Sequence, residues 1–180
     1  MTQIWKTTGF VTDDPWVLET AETQAAETQA ADHPAGLRAA GSNERAIHGL
    51  TAFIEKAEAG ETGLGVLINP ADDVARLQPY LDHIALVAVA FPAFNDGRAF
   101  SHASLLRSRL KFHGEIRAVG DVLIDQVPLM LRCGIDSFAV TNATALKRLG
   151  EGRLPGIDNH YQPTAKPAAA AGSYSWRRVS

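Results

Sequence analysis

The chain has little of what usually announces a chemistry. Among its 180 residues there is one cysteine, Cys133. One thiol can neither close an internal disulfide nor hold a cysteine-rich zinc or iron–sulfur site. No stretch reads GxGxxG after a strand, and none reads GxxxxGK[ST], so neither short nucleotide-binding signature is present. The longest apolar stretch, IALVAVAF at residues 84–91, falls far short of the roughly 20 residues that span a bilayer. The opening MTQIWKTTGF lacks the charged start and apolar run of a signal peptide, so a cytoplasmic protein is expected. A basic excess is missing too: 17 Lys and Arg stand against 20 Asp and Glu, for a net charge of −3. Nucleic acid is therefore not the default partner, and nothing points to a membrane.

What is present suits one α/β domain with tails. The hydrophobic share of 46% supplies a core that needs no metal or disulfide. Residues 1–19 carry aromatic and apolar positions around Asp13-Asp14-Pro15 and read as a hairpin or arm docked on the core. Residues 20–42 repeat Ala, Glu, Thr and Gln and read as a low-complexity linker or surface helix. Residues 43–157 form the core, and 158–180, with the run TAKPAAAAG, form a flexible tail.

Within the core the pattern alternates. Helices are expected over 43–59, 72–81, 101–112, 124–132 and 142–149. Strands are expected over 63–68, 84–91, 115–119 and 137–140. Strands joined by helices of this length run parallel with right-handed crossovers. The spacing predicts an open parallel sheet of four or five strands with helices on both faces. A partial (β/α) barrel is the alternative, since four βα units are half of a full barrel.

Ligands of such sheets bind beyond the carboxyl ends of the strands. The loops there gather Asn69, Asn95, Asp96, Arg98, Ser101, His102, Asp121, Asp125, Gln126 and Thr141. In FPAFNDGRAFSHASLLR, Asn95-Asp96-Gly97 is a tight turn and Ser101 a candidate helix cap. Arg98 before a helix start would suit an anion or a partner. The plainer reading is a local Asp96–Arg98 pair. In GEIRAVGDVLIDQ, Asp121 follows the strand-ending Gly120 and faces the same edge. It could work with Asp96 in acid/base chemistry or on a cation, or it could simply pair with Arg98, Arg107 or Arg117. Asp125 and Gln126 open the next helix. Cys133 ends a helix, where the dipole raises a thiol pKa and favours an inert side chain. The six histidines are scattered without metal-ligand spacing, so no metal site is expected. No cofactor is evident, although a sheet edge leaves room for a flavin.

Three stretches carry a resemblance: FPAFNDGRAFSHASLLR (91–107), GEIRAVGDVLIDQ (114–126) and RCGIDSFAV (132–140). In these the chain resembles the bacterial domain of unknown function 934 family, often labelled a probable oxidoreductase. Ala99-Phe100 departs from the Gly-Tyr frequent in that family. Members are typically encoded beside assimilatory sulfite reductase and phosphoadenylyl-sulfate reductase. The resemblance therefore implies an accessory subunit in sulfate assimilation and cysteine biosynthesis. Its partner would be the sulfite reductase hemoprotein or an electron carrier. Two alternatives stand beside that: an oxidoreductase with its own flavin or small anionic ligand at the strand ends, and a small-molecule-binding regulator. The binding set expected on either account is Asn95, Asp96, Arg98, Ser101, His102, Arg107, Arg117, Asp121, Asp125 and Gln126, with no catalytic residue assigned.

Overall fold

The computed structural model describes residues 2–19 and 45–155. The linker expected over 20–42 and the tail over 158–180 lie outside the described residues. The described chain forms β1 (Gln3–Lys6), β2 (Gly9–Val11), β3 (Trp16–Leu18), β4 (Arg45–Gly49), α1 (Leu50–Glu58), β5 (Leu64–Ile68) and a 3-10 helix (Val74–His83). There follow β6 (Ile84–Phe91), α2 (Arg98–Ser108), β7 (Glu115–Gly120), α3 (Val127–Arg132), β8 (Ser137–Val140) and α4 (Ala143–Gly150).

One mixed sheet of eight strands holds them, in the order β2-β1-β8-β7-β6-β5-β4-β3. From β3 to β8 every neighbouring pair is parallel, six strands in chain order. β1 lies antiparallel on β8, and β2 antiparallel on β1. An order that never reverses steps each crossover the same way, so right-handed crossovers put the described helices on one face. The packing agrees. One core cluster joins Phe53, Leu77, Leu106, Met130 and Leu149 of the helices to Val66, Val87, Val89, Ile116 and Phe138 of the strands. The other consists of strand residues alone: Ile47, Leu86, Ala88, Val119 and Ala139, flanked by Ile4, Trp16, Leu18, Leu67 and Ala90.

This corrects the expectation of an open sheet of four or five strands covered on both faces. The sheet is a half-barrel that carries its helices outside. Its curl follows from chain length. Val11 ends β2 at one edge, and Trp16 begins β3 at the other. Five residue steps reach at most roughly 18 Å, whereas eight flat strands would set those edges about 34 Å apart. The strap 12–15 therefore draws the two edges toward each other.

Other differences are local. The helix expected over 43–59 begins only at Leu50; Arg45–Gly49 is β4, paired in parallel with β3 and β5. Pro79 sits inside Val74–His83, and the segment winds as a 3-10 helix capped by Asp73, whose side chain accepts from Ala75 N. Ser101 is not the cap of its helix: α2 starts at Arg98, and the Asp96 carboxylate accepts the Arg98 backbone N–H. α3 starts at Val127, so Asp125 precedes it and Gln126 is its N-cap residue. Among the described residues no helix is long and apolar enough to cross a membrane.

Candidate functional site

Two polar clusters occupy opposite ends of the strands. The first is the rim beyond the carboxyl ends. β6 and β7 stay in register to Phe91↔Gly120, and Asp121 N then donates to Phe91 O at 2.7 Å. That extra rung needs Gly120 at a φ of +97°, where a Cβ would stand 2.4 Å from Phe91 O. The loops carrying Asp96–Arg98 and Asp121 therefore leave neighbouring strands on the same side.

In the first loop Arg98 folds back on Asp96. Its Nε donates to Oδ1 at 3.0 Å and its Nη2 to Oδ2 at 2.7 Å. The plainer reading of this pair thus holds geometrically. The guanidinium hydrogen bonds hold the Asp96 carboxyl below its ordinary value, and the same contacts raise Arg98. The pair is not closed off, because the Arg98 side chain remains 60% exposed against 14% for Asp96. Asp96 sets the guanidinium in place and leaves it facing solvent.

Around this pair stand Asn95 and Ser101, both exposed, and His102, half-buried in the first turns of α2. Burial pushes the His102 imidazole down, while Asp72, Asp73 and Asp96 favour its charge and Arg98 opposes it. His102 thus senses carboxylates from the loop after β5 as well as its own. Asp121 and Asp125 are exposed, with no side-chain partner among the described residues. Gln126 crosses between loops: its Nε2 donates to Phe94 O at 3.2 Å, and its Oε1 is buried with no partner. Phe94, absent from the sequence-based set, is the most exposed large apolar side chain among the described residues, at 59%. Its signal in the sequence is an aromatic residue set among turn formers in PAFNDG.

Arg107 and Arg117 do not reach this rim. Arg107 lies near the end of α2 and binds the loops that enter β7 and β8. Its Nε donates to Gly134 O at 2.9 Å, its Nη1 to Phe112 O and Gly114 O, and its Nη2 to the Asp136 carboxylate. Burial lowers its pKa, with Asp136 acting the other way.

Arg117 anchors the second cluster, on the concave face near the amino ends of the strands. It is 2% exposed. Its Nη1 and Nη2 donate to the two Asp14 oxygens at 2.6 and 2.7 Å, Nη2 also to Glu115 at 2.8 Å, and Nε to Ser137 Oγ at 3.2 Å. Lys6 Nζ and Ser137 Oγ donate to Glu115 at 2.7 and 2.6 Å. Burial alone would push the Glu115 carboxyl up; donation from Lys6, Ser137 and Arg117 outweighs it and brings the group to about 2. In a barrel-like fold this end reads as stability, and the opposite rim as function.

The expected set therefore divides. Asn95, Asp96, Arg98, Ser101, His102, Asp121, Asp125 and Gln126 belong to the rim loops or the first turns of α2, whereas Arg107 and Arg117 are bound up in the frame. Among the described residues no group of three or more His, Cys, Asp and Glu side chains is placed to hold a metal ion. Cys133 is half-buried at the end of α3.

Neither the curated proteins nor the solved structures contain a match to this chain. The family described as bacterial protein of unknown function (DUF934) matches residues 65–171, from the start of β5 through every rim loop just described. That span exceeds half of the 180 residues, and the chain belongs to this bacterial family.

Proposed function

We propose that this chain is an accessory protein of assimilatory sulfite reduction that docks, through its rim, on sulfite reductase or on the electron donor of that enzyme. The pathway comes from the motif resemblance over 91–107, 114–126 and 132–140. The mode of action rests on one observation: Phe94 stands exposed on a loop whose backbone Gln126 holds, beside an Arg98 that Asp96 orients toward solvent. An exposed aromatic residue next to a preordered guanidinium is the composition of an interface hot spot. Little side-chain entropy remains to be lost on docking, because Arg98 is already fixed.

Purified protein and sulfite reductase tested together by pull-down and calorimetry are expected to bind. Phe94→Ala and Arg98→Ala should each weaken that binding by roughly tenfold or more, with melting temperatures unchanged. No binding to the reductase or to its donor, under oxidising and reducing conditions alike, defeats the reading.

A small ligand at the same rim is the second reading. It is favoured by the buried, unpartnered Gln126 Oε1, an acceptor that a ligand N–H or O–H would satisfy. A stoichiometric flavin absorbance in the purified protein would move the assignment to an oxidoreductase with its own cofactor.

A further inference from the structure

The second cluster joins two parts of the chain that lie far apart in sequence. Lys6 and Glu115 are 109 positions apart, and Asp14 and Arg117 are 103 apart. We infer that residues 2–18 are a clasp that opens as one unit ahead of the rest of the fold, with Glu115 and Arg117 as its catch.

Three observations carry this. The first is topological. β1 and β2 form one edge of the sheet, β3 forms the other, and the strap 12–15 passes between them. All of its strands lie outermost in the sheet, so among the described residues the arm can lift away without breaking a pairing between any other strands.

The second is electrostatic. On the core side Arg117 and Glu115 bond to each other and both to Ser137, so that half is already paired and carries no net charge. The arm contributes Lys6 and Asp14, which also sum to zero. Parting the halves therefore leaves no uncompensated buried charge on either side, which is the usual barrier to separating buried ion pairs.

The third is the extent of the attachment. The arm meets the core through four register pairs with β8 and three with β4. To these it adds Trp5, whose ring centroid lies 5.6 Å from that of Phe138; Trp16, with the Arg45 guanidinium 4.5 Å above its ring; and a bond from Arg45 N to Pro15 O. β6, by contrast, is paired along five positions on one side and six on the other. Strands with fewer partners open at lower free energy than the centre of a sheet.

Hydrogen exchange on the full-length protein, resolved by segment, tests the clasp. In the wild type the amides of β1 and β3 should exchange together, and faster than those of β6 and β7. Asp14→Ala should accelerate β1 and β3 by on the order of a hundredfold and leave β6 and β7 unchanged. Asp13→Ala, on the exposed neighbour, should change neither. The inference is overturned if β1 and β3 are protected as strongly as β6 in the wild type, or if Asp14→Ala accelerates all strands alike. Should Asp14→Ala not fold, the wild-type comparison and Lys6→Ala, read the same way, decide the question.

Discussion

Gly120 shows how much a single residue without a side chain settles at the rim. Its positive φ lets Asp121 N reach Phe91 O, and that rung holds the two loops of the candidate site side by side. Gly120→Ala should cost roughly 2 kcal/mol or more, because left-handed strain of about 1 kcal/mol adds to a backbone clash. Gly60→Ala is the internal control: its φ is +87° with nothing within 4 Å, so strain alone applies. Urea titrations of both variants should show the larger loss at position 120; equal losses would mean the sheet simply yields there. Arg107 makes the complementary point. The sequence places it in the expected binding set, or in a pair with Asp121. Its four hydrogen bonds instead tie the entries to β7 and β8 together, and the acceptors include three carbonyls that no residue-type pattern advertises.

Among the elements, β7 carries the most consequence, because its alternation sends Ile116 and Ala118 to the helices and Glu115, Arg117 and Val119 to the concave face. Glu115 titrates at about 2 in the fold against an ordinary 4.5. A carboxyl so lowered stabilises the native state fully above about pH 4.5 and loses that contribution as the pH falls through 2, for about 3 kcal/mol in all. Melting temperatures of the wild type should therefore drop steeply over that interval. Glu115→Gln should start lower at pH 7 and lose the Glu115 share of the slope. An unchanged acid limb would show that Glu115 is not linked to folding. Much of this level was legible beforehand. The strands over 84–91 and 137–140 coincide with β6 and β8, since unbroken Val-rich and apolar runs suit a buried parallel ladder. β4 was not legible. Ile47, Leu50, Phe53 and Ile54 happen to fall at helical spacing, and only the pairing with β3 and β5 makes a strand of the first five residues. The loops of the rim were foreseeable from strand polarity, whereas Asp14 on Arg117 is a contact between distant segments that periodicity does not encode.

At the scale of the molecule, the strand order leaves the inner surface of the curl without a helix among the described residues, filled by strand side chains and by Asp14 of the strap. Ala88 lies at its centre, fully buried between Leu86 and Ala90 on the same face. Ala88→Leu should destabilise the protein by about 1–3 kcal/mol, as overpacking does in filled cores. A neutral result in thermal melts would instead reveal spare room inside the curl. The arrangement of edges also bears on how the chain comes into being. β1 leaves the ribosome well before its partner β8, from which more than a hundred positions separate it. At ordinary rates of synthesis the hairpin waits on the order of ten seconds for the strand it will join. Throughout that interval Trp5 has no Phe138 to pack against, and the nascent chain displays an apolar arm that chaperones are well placed to hold.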